Sequence, residues 1–331
     1  MIINNKIGII GGGSWATAIV KILSYNNSTI NWYMRDKGTA LLIKKLHRNP
    51  KYLSSVIIDP KRVNIYTDIN EIVNSSDILI LSIPSAFLQK ALDKLTIGLE
   101  NKIIFSAIKG IIPEKHLTIA EFLNGNYGVP INSIGIISGP CHAEEVALER
   151  LSYLTFSSKD TEKAKYMAGR FKCRFINCFV SDDIYGTEYS AVIKNIAAIA
   201  AGIFHGLGYG DNFLSVLISN AIQEIKRFID TVHPNSRDMN SSAYLGDLLV
   251  TAYSQFSRNR SFGTMIGKGY SLDNAKLEMN MVAEGYYSTN SIHEVNKEYN
   301  VKMPICDAVY NVLYEGKSPS AEMKLLTKKL I

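Results

Sequence analysis

Lys194 is a lysine in an otherwise apolar helical pattern, with alanines at helical spacing around it. Burial penalises the charged form of an amine, so its pKa falls toward neutrality and the group becomes suited to acid–base chemistry. The competing interpretation is a lysine whose carbon chain lies along the core while its ammonium group reaches solvent. Composition alone favours this second interpretation.

Lys109 follows Lys102–Phe105, a short run that is almost continuous in apolar residues and predicts a buried strand. Ligands of parallel α/β sheets bind beyond the carboxyl ends of the strands. A second ammonium group there would hold a substrate oxygen and lower the pKa of Lys194 by like-charge repulsion. An ordinary surface lysine before Gly110 is the alternative.

Asp247 is an acidic residue inside the apolar segment Leu245–Leu248. A carboxylate in such surroundings is usually paired, so we expect it to orient Lys194 or to bind a substrate hydroxyl. The alternative is an aspartate that caps a helix. Lys194, Lys109 and Asp247 are therefore the predicted catalytic residues.

Ser257–Arg260 is a short polar, basic run that we place between helices. The planar guanidinium group of Arg258 is suited to gripping a phosphate group, with help from the Asn259 amide and nearby backbone N–H groups. A solvated loop is the usual meaning of such a run when it stands alone.

Gly11–Ala18 lies between a strand pattern and a helix pattern and has the form of the dinucleotide fingerprint G-x-G-x-x-G/A. Gly11 permits the tight turn, Gly13 allows a pyrophosphate to approach, and Ala16 allows the helix to pack closely on the strand. The helix N-terminus then offers N–H groups to phosphates. Glycine-rich turns without a ligand also occur, but this context favours cofactor binding.

Arg35 and Asp36 end the second predicted strand, where the cofactor's adenosine ribose is recognised. Arginine there favours the 2′-phosphate of NADP, whereas an acidic residue favours the ribose of NAD. We expect NADPH to be preferred, with NAD as a second possibility, and a solvent-exposed charged turn is the alternative.

The first half of the chain alternates short, β-branched apolar runs with helical patterns, which is typical of a parallel, doubly wound sheet. The predicted strands are Lys6–Ile10, Thr29–Tyr33, Val63–Tyr66, Ile78–Leu81, Lys102–Phe105, Ser133–Ile137, Tyr153–Ser157 and Arg174–Cys178. The predicted connecting helices are Trp15–Ser24, Ser85–Leu95, His116–Leu123 and Ala143–Glu149.

Longer amphipathic helical patterns replace the strands from about residue 183 onward. They are Thr187–Phe204, Phe213–Thr231, Asp273–Met281, Tyr286–Tyr299 and Pro304–Tyr314. The fold class is thus α/β, with an N-terminal Rossmann-like domain at 1–183 and an all-helical domain at 184–331 for substrate binding and catalysis.

Eight ordered motifs along almost the whole chain resemble those of the soluble NAD(P)-dependent glycerol-3-phosphate dehydrogenases. They are Gly11–Ala18, Ser106–Gly110, Ile137–Glu145, Val192–Asn195, Gly206–Gly210, Gly246–Leu248, Ser257–Gly263 and Val282–Gly285. Among the departures, Cys141 stands where the family usually has Thr or Asn, and Ser190 and Ala191 replace glycines before the lysine. No departure removes a charged catalytic group.

The resemblance implies hydride transfer between NAD(P)H and dihydroxyacetone phosphate to give sn-glycerol 3-phosphate, a supply of backbone for phospholipids. It implies substrate binding by Lys109, Gly139, Cys141, Lys194, Asp247, Ser257, Arg258 and Asn259. It implies cofactor binding by Gly11, Gly13, Ser14, Trp15, Arg35, Lys109, Ala143, Arg258, Val282 and Glu284.

Two other functions remain open at this point. A ketopantoate-reductase-like or 3-hydroxyacid-dehydrogenase-like enzyme also pairs a Rossmann domain with a helical domain, but lacks the ordered S-R-N-R and G-L-G-x-G motifs. A nucleotide-sensing module would bind the cofactor without turnover. The presence of Lys109, Lys194 and Asp247 together argues against the second.

Composition limits the function further. The 331 residues, 47% of them hydrophobic, can fill two cores, and we take the net charge of +6 to be spread along the chain, which does not favour nucleic-acid binding. The N-terminus lacks a signal-peptide pattern and no run can span a membrane, so we expect a cytoplasmic protein without membrane insertion. Separately, we expect a homodimer. The spacing of the four cysteines and six histidines predicts neither a metal site nor a disulfide framework.

Overall fold

The structure is a computed structural model and describes residues 5–26, 29–279 and 283–331. The chain forms two compact units, Met1–Ile108 with Ile119–Ile184, and Lys109–Thr118 with Tyr185–Ile331. The sequence predicted a single domain boundary, between residues 183 and 184. The segment 109–118 groups with the second unit because Ile111 is buried in that unit's core and Asn195 binds the Lys109 carbonyl.

The first unit is built on one eight-stranded sheet in the order β3-β2-β1-β4-β5-β6-β7-β8, in which only the β6–β7 pair is antiparallel. The order of the first six strands is that of a doubly wound dinucleotide-binding sheet. The strands are β1 Ile7–Ile10, β2 Ile30–Tyr33, β3 Val63–Tyr66, β4 Ile78–Leu81, β5 Ile103–Ser106, β6 Ile134–Ser138, β7 Ser152–Ser158 and β8 Ile176–Ser181. The predicted fold class is confirmed, and each predicted strand lies within three residues of an observed one.

The described residues of the first unit also form seven α-helices: α1 Ser14–Tyr25, α2 Lys37–Leu46, α3 Ile69–Asn74, α4 Leu88–Leu92, α5 Ile119–Tyr127, α6 Ala143–Ala147 and α7 Thr161–Phe171. Helices α2, α3 and α7 were not predicted, although Asp36, Asp68 and Asp160 cap them. The helix predicted from His116 begins only at Ile119, because His116 has a left-handed backbone (φ 54°).

The second unit contains eight helices in the described residues: α8 Ile184–Gly206, α9 Asp211–Val232, α10 Asp247–Tyr253, α11 Arg258–Gly267, α12 Leu272–Glu278, α13 Glu284–Tyr299, α14 Pro304–Leu313 and α15 Pro319–Thr327. Helices α10, α11 and α15 were not predicted. The placement of Ser257–Arg260 between helices was wrong, since Ser257 caps α11 and Arg258 begins it. No helix in the described part of the chain is long and apolar enough to cross a membrane.

Helix α8 is the central helix of the second unit, and every residue from Gly186 to Phe204 is buried. A helix that is apolar all round is stable only when other elements surround it. Lys194 is buried with this part of the helix, and only 2% of its surface is exposed.

Helices α8 and α11 cross at glycines, two on each helix and four residues apart. A Cβ atom on Gly202 would lie 2.1 Å from the Arg260 carbonyl oxygen, and one on Gly263 would lie 2.1 Å from that of Ile199. Gly206 and Gly267 are equally confined. The two backbones therefore touch, and this fixes where α11 begins relative to Lys194.

Gly263→Ala should lower the free energy of unfolding by about 1–3 kcal/mol, because the added methyl group has to separate two packed helix backbones. Gly169→Ala is the matched control, since a Cβ atom there meets nothing within 4 Å. In α7 that exchange should stabilise by up to about 1 kcal/mol. Urea unfolding of both variants decides the matter: equal effects would contradict the close crossing.

Candidate active site

Lys194 and Asp247 form a buried ion pair in the second unit. The Lys194 Nζ atom lies 2.5 Å from Asp247 Oδ1, and their side chains are 3% and 1% exposed. The Lys109 Nζ atom lies 3.2 Å from both oxygens of the same carboxylate, and that lysine is 23% exposed. The structure thus brings together the three predicted catalytic residues, two of them lysines on one carboxylate.

Asp247 owes its position to a change in helix geometry. Ser242–Gly246 forms a π-helical turn, and α10 begins directly after it with Asp247. Such turns are rare and are found mostly as single turns within helices, often at functional sites. The extra residue of the π-helical turn sets the direction in which the Asp247 carboxylate points, and the two lysines stabilise its charge.

Thr251 is a further partner of Lys194, and it is not among the residues predicted from the sequence. Its hydroxyl accepts a hydrogen bond from Lys194 Nζ at 2.9 Å and donates one to the Asp247 carbonyl oxygen at 2.6 Å. The donated bond aims the lone pairs of the hydroxyl at the lysine. Thr251 stands one helical turn after Asp247, and this spacing is the only signal in the sequence that marks it.

The ionisation of this cluster follows from burial and from its excess of positive charge. Burial lowers the pKa of Lys194 to about 7 and Lys109 adds to the effect, while Asp247 opposes it. Burial alone would raise the pKa of Asp247, but Lys109 and Lys194 more than offset this and hold it below its usual value. The carboxylate stays charged, and the proton on Lys194 is the mobile one.

Asn195 links Lys109 to the central helix. Its Nδ2 atom donates a hydrogen bond of 2.8 Å to the backbone carbonyl of Lys109, across 86 residues of sequence. Helix α8 therefore positions both lysines, one as its own residue and one through the neighbouring asparagine. Asn195 belongs to the predicted motif Val192–Asn195, but its hydrogen bond to Lys109 was not predicted from the sequence.

Ser257 and Asn259 shape the N-terminus of α11. The Ser257 hydroxyl accepts a hydrogen bond from the Arg260 N–H at 3.3 Å, and Asn259 Oδ1 accepts one from the Gly285 N–H at 2.9 Å. Because Oδ1 is engaged in this way, Asn259 presents its NH₂ group as a donor. Arg258 is the first residue of this helix, whose N-terminal N–H groups favour an anion.

Gly285 lies close both to Asn195 on α8 and to Asn259 at the N-terminus of α11. A Cβ atom there would lie 2.7 Å from the Asn195 carbonyl oxygen and 2.9 Å from Asn259 Oδ1. The absence of a side chain thus lets the start of α13 touch the residue after Lys194 and the residue after Arg258. Glu284 is the first residue of α13, and Val282 lies outside the described residues.

In the first unit, the carbonyl groups of the glycine turn are hydrogen-bonded within the protein, so the N–H groups are the polar groups that it can present to a ligand. Gly11 has a φ of +145°, and a Cβ atom there would collide with the Ser82 carbonyl oxygen. The Gly11 carbonyl accepts from Trp32 Nε1 at 2.7 Å, that of Gly12 from Asn49 Nδ2 at 3.1 Å, and that of Gly13 from the Thr17 hydroxyl at 3.0 Å.

These bonds turn the carbonyls toward the protein, while space beside Gly13 stays open. Ser14 and Trp15 begin α1, and the buried Trp15 Nε1 atom has no hydrogen-bond partner among the described residues. The turn therefore fits the pyrophosphate of a dinucleotide. Asn49, fully buried, was not identified from the sequence.

Asp36 is held by contacts within the protein, whereas its neighbour Arg35 is exposed to solvent. The Asp36 carboxylate caps α2 by accepting the Thr39 N–H at 2.5 Å, and Lys51 lies 3.8 Å from it. The hydrogen bonds from Thr39 are the main reason why the pKa of Asp36 lies below its usual value. Arg35 is exposed directly before this cap.

The other predicted residues of the first unit follow β6. Gly139 has a φ of +112°, and a Cβ atom there would lie 2.7 Å from the Tyr153 carbonyl oxygen, which accounts for the glycine. Cys141 is half-buried and packs against the core of this unit, and Ala143 begins α6. Among the described residues, no group of three His, Cys, Asp or Glu side chains is arranged to hold a metal ion.

Comparison with protein families gives two matches that together span most of the chain. Residues 6–164 match the NAD-dependent glycerol-3-phosphate dehydrogenase N-terminus, and residues 183–324 match its C-terminus. The chain belongs to the NAD-dependent glycerol-3-phosphate dehydrogenase family. This membership decides against the ketopantoate-reductase-like alternative.

Individual members of the glycerol-3-phosphate dehydrogenase family are similar over nearly their full length. Glycerol-3-phosphate dehydrogenase (NAD(P)+) of Oceanobacillus iheyensis is 33% identical over 98% of this chain and 94% of its own. That of an Exiguobacterium species is 35% identical over 98% and 95%. The crystal structure of glycerol-3-phosphate dehydrogenase from Coxiella burnetii has a TM-score of 0.90 at 25% identity and covers 98% of this chain and 99% of its own.

Asp247→Asn should lower the free energy of unfolding by about 3–5 kcal/mol below pH 7, because it leaves the Lys194 ammonium group buried without a counter-charge. Asp59→Asn is the matched control, since Asp59 pairs with Arg62 at 3.3 Å where both side chains are over a third exposed. That loss should stay within about 1 kcal/mol. Chemical denaturation at pH 6 measures both, and similar small losses would mean that the buried carboxylate does not hold Lys194.

Proposed function

We propose that this protein interconverts dihydroxyacetone phosphate and sn-glycerol 3-phosphate, and that its product supplies glycerophospholipid synthesis. The observation that carries the proposal is the buried Lys194 amine, held by Asp247 and Thr251 beside a second ammonium group. Reduction of a ketone needs a proton donor and positive charge where the alkoxide forms, and this cluster offers both.

The glycine turn with Ser14 and Trp15 would hold a nicotinamide dinucleotide, which would supply the hydride for the central carbon of the substrate. Lys194 then gives its proton to the carbonyl oxygen as negative charge develops there, so that the ketone becomes a secondary alcohol. Two of the three Lys194 N–H directions are taken by Asp247 and Thr251, and the third serves the substrate oxygen. Lys109 stabilises the same oxygen and favours the neutral form of Lys194 that remains. In the reverse direction neutral Lys194 accepts the proton.

The N-terminus of α11 is the proposed phosphate site. Arg258 binds phosphate oxygens through its planar guanidinium group, and the NH₂ group of Asn259 and the backbone near Ser257 add donors. The crossing of α8 and α11 fixes this site relative to Lys194. Gly139 and Cys141 as substrate contacts, and Ala143, Val282 and Glu284 as cofactor contacts, remain predictions.

Lys194→Ala should lower the rate of dihydroxyacetone phosphate reduction by about 10²–10⁴-fold or more, because it removes both the proton donor and a charge. The fold should survive, since Asp247 keeps Lys109 as a partner. The assay is NADPH oxidation followed by absorbance, with cofactor binding measured by fluorescence titration.

Lys21→Ala is the matched control, because Lys21 is a partly buried lysine of the first unit that also pairs with a carboxylate, Glu149 at 3.1 Å. This variant should keep nearly the wild-type rate. If Lys194→Ala retains more than about a tenth of that rate, the amine is not the proton donor.

We further propose that NADPH is preferred over NADH. The Asp36 carboxylate, which would otherwise accept from the ribose of NAD and repel a 2′-phosphate, is engaged as the cap of α2 and by Lys51. Arg35 precedes it at the strand end where a 2′-phosphate would lie. A guanidinium–phosphate bond there is worth about 1.5–3 kcal/mol.

Arg35→Ala should therefore lower kcat/KM for NADPH by about tenfold or more and leave kcat/KM for NADH nearly unchanged. Initial rates with both cofactors on both proteins give the answer. Equal losses with the two cofactors, or a wild type that prefers NADH, would assign the choice to Asp36 or to the backbone. The homodimer and the cytoplasmic location expected from the sequence remain predictions.

A further inference from the structure

The positive charge of the chain is concentrated in one segment, contrary to the even spread taken from the composition. Residues 37–62 contain seven Lys or Arg residues and one Asp, a formal charge of +6 that equals the net charge of the whole chain. The rest of the chain is thus neutral overall. Such a concentration makes a local field strong enough to attract an anionic partner.

In the first unit this segment forms one surface, which we name the α2 surface: the exposed residues of 37–62. Helix α2 buries Thr39, Ala40 and Ile43 and turns its remaining residues outward. The Ile58 N–H then donates a hydrogen bond of 2.8 Å to the His47 carbonyl, which brings the following loop back to the C-terminal end of the helix. The segment leads into β3, the edge strand of the sheet.

Large aliphatic side chains are exposed among these charges. Leu41 and Leu42 are 68% and 44% exposed, Leu46 is 45% exposed, and Ile57 is 75% exposed. The bond between Ile58 and His47 places Ile57 beside the end of the helix that carries Leu46. Single exposed leucines are ordinary, but four aliphatic side chains on one basic surface call for an explanation.

The basic residues are not accounted for by the fold. Within the part of the chain that the structure describes, Lys51 and Arg62 pair with Asp36 and Asp59, whereas Lys44, Lys45 and Arg48 form no ion pair. Lys44 and Lys45 stand in the last turn of α2, where the helix dipole favours cations. The helix dipole explains neither the position of Arg48, which lies beyond the end of α2, nor the exposure of the leucines.

We propose that the α2 surface binds an anionic lipid surface, with α2 lying in the interfacial plane. Lysine and arginine side chains beside exposed leucines on one helix are the features that interfacial helices use, since the cations bind headgroups while the aliphatic groups enter the acyl boundary. A nucleic acid or a small anion would use the charges but not the leucines. The combination therefore favours a membrane surface.

The test is co-sedimentation of the full chain with vesicles. We expect binding to vesicles of phosphatidylcholine and phosphatidylglycerol in equal parts, and none to phosphatidylcholine alone. Each basic residue near an anionic surface strengthens binding about fivefold, so Lys44→Glu with Lys45→Glu should weaken it by more than about thirtyfold. Leu42→Ser with Leu46→Ser should weaken it by at least about tenfold, because apolar area no longer enters the boundary.

The matched controls lie in and just after α15. Lys324→Glu with Lys328→Glu, and Leu325→Ser, change exposed residues of the same types and should leave vesicle binding and turnover unchanged. Three results would overturn the proposal: no sedimentation with the anionic vesicles, full binding by the leucine variant together with equal competition by duplex DNA, or a charge-reversal effect confined to kcat/KM for NADPH. The last two would assign the charges to a nucleic acid or to steering of the cofactor.

Discussion

The buried ion pair of Lys194 and Asp247 is the interaction on which the second unit depends. Two charges in an apolar interior lose their hydration, and only close pairing and further hydrogen bonds offset that loss. The surrounding structure supplies both: α8 encloses the lysine, the start of α10 presents the carboxylate, and Thr251 bonds to each of them. Because Lys109 brings a second ammonium group to the same carboxylate, the cluster has one positive charge too many. A proton on Lys194 is therefore held weakly enough to be given away.

Close backbone contacts place the rest of the site around this pair. Glycines on α8 and α11 bring the two helices together, and Gly285 brings the start of α13 against Asn195 and Asn259. The Gly285 contact joins the residue after Lys194 with the second residue of α11, and the glycine crossing holds the two helix backbones against each other. Packed interiors do not deform continuously, so these contacts hold the distance between the proton donor and the proposed phosphate site. In the first unit, Trp32 and Asn49 fix the conformation of the glycine turn by donating hydrogen bonds to its carbonyl groups.

Much of this was predictable from local sequence signals. The sheet strands are continuous apolar runs, the glycine turn lies between a strand and a helix, and Lys194 and Asp247 interrupt apolar patterns. What the sequence did not show are relations between distant residues: the bond from Asn195 to Lys109 spans 86 positions, and the pairing of Lys109 with Asp247 spans 138. The start of α11 was taken for a loop because its first turn is polar and basic, and because the helix crosses α8 at Gly263 and Gly267, residues that do not favour a helix in a sequence pattern. The capping role of Asp36 likewise depends on α2, a helix whose outward leucines hide its amphipathic pattern.

The pH dependence of the reaction in both directions tests the central claim most directly. Since burial lowers the pKa of Lys194 to about 7, reduction, which needs the protonated amine, should lose kcat/KM tenfold per pH unit above about 7. Oxidation needs the neutral amine, so its kcat/KM should rise through the same pH and then level off. The second ionisation of a phosphate monoester lies near pH 6 and can be separated from this transition. Opposite slopes that meet near pH 7 are the predicted result. A flat profile between about pH 6 and 9, or slopes of the same sign in both directions, would contradict the assignment of Lys194 as the group that exchanges the proton.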